Sequence, residues 1–191
     1  FAANHYICVD AAGGGTGADW ANAWTSFGAA TWIRGDTYYV AGSSTQYSSA
    51  LFNAAESGVS YITIKKATAA VNGSDPGWVA SYGTNQAIID SIGLLGAIEF
   101  RTVYWIFDGV TGSGGTESSY GFKLTSTTCN VANHLVTMPS TAVSNLVVNY
   151  ITISHTSLLN CAKGDGVTCK FGIFNSTLST GSNTPISPNY F

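Results

Sequence analysis

Tyr104-Trp105-Ile106-Phe107-Asp108-Gly109 reads as a short strand closed by a turn, with an apolar side chain at alternate positions. Two other stretches share its character. Tyr61-Ile62-Thr63-Ile64 lies 43 residues earlier, and Tyr150-Ile151-Thr152-Ile153 lies 46 residues later. Short strands that recur at a nearly fixed interval mark a stacked repeat, in which one unit cannot bury its apolar face alone. A solenoid of short strands follows. In register, Tyr61, Tyr104 and Tyr150 would form a ladder, inward as core or outward as a binding stripe, and core is the preferred reading.

Composition agrees with one packed domain over residues 1–191. Hydrophobic residues make up 45% and charged residues only 9%, so Ser, Thr, Asn and Gly must cover the surface. The net charge is −3 and no run of like charge occurs, which speaks against nucleic acid or an anionic membrane as partner. No membrane-spanning run or signal peptide is visible. The chain opens at Phe1 without a methionine, as a mature or partial chain would after its leader is removed. So few charges give little repulsion between copies, which favours self-association or a sugar coat.

Four cysteines, Cys8, Cys129, Cys161 and Cys169, match no zinc or haem spacing. Their even number in a Ser/Thr/Asn-rich chain suits an oxidising compartment. Cys161 and Cys169 could close a small loop around Lys163-Gly164-Asp165-Gly166, which leaves Cys8 with Cys129; four buried free thiols is the alternative. Asn72 and Asn175 open Asn-x-Ser/Thr sequons, candidate glycosylation sites of the kind that chance also produces in such a composition.

Along the chain, residues 5–10 read as a first strand and residues 11–17 as a glycine-rich connection. Residues 19–32 carry Trp20, Trp24 and Phe27 at helical spacing behind Asp19, a good helix cap. That predicts a short capping helix over one end of the solenoid, with the tryptophans more suited to core than to a sugar platform. Strands are expected at 37–40, 61–66, 87–90, 97–100, 103–107, 121–125, 134–138, 145–154 and 168–179, with a possible turn of helix at 50–55. Residues 67–85 hold Asn72-Gly73 and Asp75-Pro76-Gly77 and read as a polar excursion. Residues 5–40 would then form the cap and first strands, 61–180 the coils, and 181–191 an extended tail.

In this order, His5-Tyr6-Ile7-Cys8-Val9-Asp10, Trp20-Ala21-Asn22-Ala23-Trp24, Gly35-Asp36-Thr37-Tyr38-Tyr39-Val40, Tyr61 to Lys65 and Tyr104 to Gly109 resemble the start of secreted right-handed parallel β-helix proteins, the pectate-lyase-like superfamily. The resemblance covers roughly residues 5–112 and implies an all-β right-handed parallel β-helix with an N-terminal capping helix. It leaves activity open, because that superfamily includes lyases, hydrolases, tailspikes, adhesins and surface proteins. This chain lacks the acidic and basic clusters of the superfamily's enzymes and has room for fewer coils.

A lyase would need carboxylates for calcium and a basic residue beside the sugar, and a hydrolase would need two carboxylates astride the bond. Asp90, Asp108 and Arg101 are the weak catalytic candidates, and no metal ligand set or cofactor site stands out. Asp90 and Asp108 end strands and could be neighbours on successive coils, although capping of turns explains them better. Arg101 has Glu99 at hand for a salt bridge, and Lys65-Lys66 reads as a solvated strand end. The histidines lack metal spacing, and His155, which could meet Ser154 or Ser157, has no acidic orienter nearby in sequence, so a Ser-His-Asp site is only weakly indicated. The expectation is an extracellular or cell-surface structural protein whose partners are copies of itself, assembled into a filament or surface layer, with no cofactor and no membrane insertion. The alternatives are a polysaccharide lyase or glycoside hydrolase, for which alone calcium would be expected, and a non-catalytic glycan-binding adhesin or tailspike-like module.

Overall fold

The computed structural model describes residues 2–91, 97–111, 120–126, 136–137, 145–155 and 174–180. Its strands are Asn4–Ile7 (β1), Thr37–Val40 (β2), Ala50–Phe52 (β3), Ile62–Lys66 (β4), Ala87–Asp90 (β5), Ile98–Phe100 (β6), Trp105–Asp108 (β7), Phe122–Ser126 (β8), Val136–Thr137 (β9), Leu146–His155 (β10) and Phe174–Thr180 (β11). Two short helices, Ala69–Asn72 (α1) and Ala80–Thr84 (α2), and a 3-10 turn at Phe27–Ala29 complete the described elements.

The protein is mostly strand, in two parallel sheets. The larger runs β1-β2-β4-β7-β10-β8-β5, with β11 also on β10, and the smaller runs β3-β6-β9. From β3 onward, strands three apart in sequence pair with each other: β3 with β6, β4 with β7, β5 with β8, β6 with β9 and β7 with β10. Neither sheet closes on itself among the described residues.

Alternation along each strand sends one set of side chains inward. Tyr38, Val40, Ile62, Ile64, Trp105, Phe107, Leu146 and Val148 come from β2, β4, β7 and β10, and meet Ile89, Phe122 and Leu124 from β5 and β8 and Phe52, Ile98 and Phe100 from the smaller sheet. Phe52 joins the two sheets, its ring stacked on Phe100 at 4.9 Å and tilted on Trp105 at 5.1 Å. Burying each such ring contributes about 1.5–3 kcal/mol. Core packing in three directions explains why short strands, too weak alone, hold their register.

One arginine fastens the corners that lead into β7. Arg34 donates to the carbonyls of Val103 and Tyr104 at 2.7 and 3.0 Å, of Ala54 at 2.8 Å and of Ala55 at 3.2 Å, and to Thr102 Oγ1 at 3.3 Å. Its guanidinium also lies 5.3 Å over the Trp105 ring. A planar fork can serve several carbonyls at once, which a lysine ammonium cannot do with the same geometry.

The structure departs from the sequence reading in several places. Residues 19–32 are turns and bends apart from the 3-10 turn, not a capping helix. Asp19 caps a turn instead, accepting from the Asn22 N–H at 2.8 Å. Trp24 and Phe27 point into the main core while Trp20 is buried on the other side, under the excursion, and backbone bonding of Trp24 to β1 is incompatible with a helix there. Residues 50–52 form a strand where a helical turn was the expectation, because Phe52 packs between Phe100 and Trp105. The excursion contains α1 and α2. Tyr150 does not join the tyrosine ladder. Leu146 pairs Trp105 and Ile151 pairs Phe122, so β10 changes partner strand around Tyr150, and Asn145 takes the ladder position instead.

Candidate functional site

The outward face of the larger sheet carries a row of residues in register, Tyr6, Tyr39, Lys65 and Asp108 on β1, β2, β4 and β7, and the same backbone register continues through position 149 of β10 to position 175 of β11. The excursion folds over the first part of this row. Tyr6 donates to Asp75 Oδ2 at 3.1 Å, and Asn72 Nδ2 donates to the same oxygen at 3.0 Å. Trp20 packs against Tyr6, Trp78 and Tyr82 with ring centroids 4.8, 5.6 and 5.3 Å apart. Burial, reinforced by the Asp75 carboxylate, pushes the Tyr6 hydroxyl up to about 12. Beyond the excursion, Lys65 is exposed and Asp108 half-buried. Lys65 and Asp108, with Thr63 and Ile106 in the adjoining row, form the open part of the face.

Asp108 and Arg101 each have a structural partner, and Asp90 is buried. Asp108 accepts the Val110 N–H at 3.1 Å, as a carboxylate holding an Asp-Gly turn does. Arg101 donates to Glu99 Oε1 at 2.7 Å on an exposed surface. Asp90 is buried at the end of β5; its N–H donates to the Tyr47 carbonyl at 2.9 Å, and its cross-strand partner is Thr125. Asp90 and Asp108 are therefore not cross-strand neighbours, because β5 pairs with β8 while β7 pairs with β4 and β10. Arg101 follows β6, in the smaller sheet. The three stand on three different strand ladders.

Cys8 is a free thiol, wholly buried between the sheet and the excursion, and burial raises its pKa. Cys129, Cys161 and Cys169 lie outside the described residues, as does the Lys163–Asp165 loop. The side chain of Asn72 is buried, and its nitrogen, the atom that would carry a glycan, donates to Asp75. Asn175 is placed on β11 by its backbone alone. Among the described residues no three His, Cys, Asp or Glu side chains gather as a metal ion would need, and no helix is long and apolar enough to cross a membrane.

Two polar centres escape a reading by spacing. Lys66 is buried while its neighbour Lys65 is exposed. The Lys66 ammonium donates to the Ala67 carbonyl at 2.9 Å and to the Tyr82 carbonyl on α2. Burial pulls it down to about 7. Its stem runs so close to Gly121 that a Cβ there would lie 2.2 Å from Lys66 Cγ, so position 121 must be glycine. The second centre is Asp36, which accepts the Ala3 N–H at 2.9 Å and meets His5 Nε2 at 2.8 Å. Burial works to raise the Asp36 carboxyl, but these bonds outweigh it and hold it below its usual value. Pairs 31 and 33 residues apart leave no local motif, so only the parallel register of β1 on β2 reveals them.

No known protein family, curated protein or solved structure matches the chain.

Proposed function

We propose that this chain is an extracellular structural protein built as a right-handed parallel β-helix of the pectate-lyase-like kind, and that copies of it assemble into a filament or surface layer. The pairing of strands three apart supports the coil reading. β4, β5 and β6 would make one coil and β7, β8 and β9 the next, each strand lying on its counterpart. The coil before them has β2 and β3, with Tyr47 bridged to Ile89 on the side between. Right-handedness follows from the strong preference of parallel crossover connections.

The observation that carries the structural role is the fate of the catalytic candidates: Asp108 holds a turn, Arg101 a surface carboxylate, and Asp90 a buried strand end on another ladder. With 9% charged residues there is also little to keep copies apart. Light scattering over rising concentration, on protein with intact termini, tests this. Growing particle mass is the expected result, and a strictly monomeric particle at high concentration would count against the proposal.

The Lys65–Asp108 register on the open outer face favours glycan binding without turnover as a second reading. Binding on a glycan array that Lys65→Ala abolishes, with no sugar released, would support it. Sugar release that Asp108→Asn destroys would instead support an enzyme.

A further inference from the structure

The outer edge of β1 is occupied by a piece of the same chain that imitates a strand. In a parallel ladder the N–H and C=O groups of alternate residues face one neighbour. Ala3, just before β1, and Ile7, at its end, serve the β2 side: Ala3 O accepts the Thr37 N–H at 3.0 Å, and Ile7 O accepts the Ala41 N–H at 2.9 Å. Tyr6 and Cys8 face the other way. Tyr6 N–H donates to Gly17 O at 3.0 Å, Trp24 N–H to Tyr6 O at 3.0 Å, and Cys8 N–H to Trp24 O at 2.8 Å. Ile7 and Trp24 form a parallel bridge, the same sense in which β2 lies on the opposite edge. Trp24 also sends its side chain inward, where its ring stacks on Tyr38 at 6.0 Å and tilts over His5 at 5.4 Å. Residue 24 thus does the work of a neighbouring coil with a single residue of pairing.

The segment is held by contacts of its own. Asn22 Oδ1 accepts the Gly14 N–H at 3.2 Å, Asn22 Nδ2 donates to Asp19 at 3.0 and 3.2 Å, and Asn22 O accepts the Gly17 N–H at 2.8 Å. Gly17 has φ 73° and lies so close to Trp24 that a Cβ would meet the indole at 2.5 Å. Asn22 therefore fixes the shape of the segment through bonds to Gly14, Gly17 and Asp19, none of which belongs to β1.

We propose that residues 17–24 are a displaceable plug, and that a parallel strand from a second copy of this chain takes their place on the outer edge of β1. A bare strand edge is a template for another chain, and proteins commonly cover such edges. Here the cover already has the sense and side-chain direction of a strand, so the edge is shaped for a parallel partner. A full strand offers more ladder bonds than one bridged residue, and with its own inward side chains it must replace the burial of Trp20 and Trp24 that displacement gives up. The inference rests on the self-assembly reading and adds a gate to it.

The test compares wild type with Asn22→Ala, using hydrogen exchange at the Tyr6 and Cys8 amides together with light scattering. The expected result is faster exchange of both amides at low concentration, and association of the variant at concentrations where wild type does not associate, with the amides protected again in the assembled form. Trp24→Pro, which lacks the N–H bonded to Tyr6 O, is the second opening variant. An open edge without association in either variant overturns the proposal, and so does an edge that neither variant opens. Wild type that never assembles while Asn22→Ala does would refute the filament reading and keep the plug. Wild-type filaments unchanged by both variants would keep the filament reading and refute the plug.

Discussion

Tyr104 and Asn145 immediately precede the paired residues Trp105 and Leu146, and both have left-handed backbone, with φ of 63° and 61°. The same corner is turned before β2 by Gly35, at φ 93°, whose N–H donates to Tyr61 O at 3.0 Å. Gly and Asn enter this region easily, whereas a side chain such as Tyr is strained there by roughly 1–2 kcal/mol. Tyr104 is compensated by edge packing on Tyr61 at 5.4 Å. An aromatic pair of this kind contributes about 0.5–1.5 kcal/mol. Since the two effects are of similar size, Tyr104→Gly should change stability by less than about 1 kcal/mol in urea unfolding. Asn145→Ala has no such balance. It also loses the bond from the Tyr61 hydroxyl to Asn145 Oδ1, 3.2 Å long, and should destabilise by about 1 kcal/mol.

Arg34 should be the most sensitive charged position in the described chain. Arg34→Ala leaves the Ala54, Val103 and Tyr104 carbonyls without this donor and removes the cover on Trp105. A loss of about 3 kcal/mol is expected from charged hydrogen bonds left unmade. Arg34→Lys should recover less than half of it, because one ammonium cannot span the same carbonyls. Chemical denaturation of the two variants checks both the size and the order.

Lys66 makes stability depend on pH in an unusual direction. The unfolded chain keeps this amine protonated up to its ordinary 10.5, whereas burial in the folded chain pulls it down to about 7. Between those values the unfolded state binds the extra proton, so stability rises with pH, at a limiting slope of about 1.4 kcal/mol per pH unit. Above about 10 the sign reverses: burial holds the hydroxyls of Tyr6, Tyr38 and Tyr82 at about 12, so the folded chain keeps protons that the unfolded chain has lost. Urea unfolding from pH 6 to 9.5 should show the rise in wild type and a flatter profile in Lys66→Met.

Asp36 gives an acid counterpart. Its carboxyl is held below the ordinary 3.8, so its contribution is present above that value and is lost as pH falls through the lower folded value. Asp36→Asn should weaken the hold on β1, read as faster amide exchange at Ala3 and His5 near neutral pH. The Ala3 N–H is bonded to that carboxylate, and its ring partner His5 meets the other oxygen.

The strand rhythm was legible in the sequence because alternation is a local property. Thr37–Val40 and Ala87–Asp90 were readable to the residue. The segment around Trp20, Trp24 and Phe27 misled because helical spacing suggests one buried face, whereas the folded-back chain sends Trp20 under the excursion and Trp24 and Phe27 into the main core. What separates them is the Asn22 network and the ladder bonds of Trp24, and the ladder bonds exist only once β1 is in place. Lys66 was opaque for a similar reason. Its burial depends on α2, whose Tyr82 carbonyl is 16 residues away. The Tyr150 ladder failed because β10 shifts partner within one strand, which a repeated Tyr-Ile-Thr-Ile word does not record.

If copies of this chain stack as coils of parallel strands, as proposed, fibre diffraction from concentrated protein, checked by electron microscopy, will reveal it. The account predicts filaments or sheets with a spacing of about 4.8 Å along the direction of stacking, the distance between hydrogen-bonded strands. Discrete particles of fixed size, with no such reflection at any concentration, would contradict it.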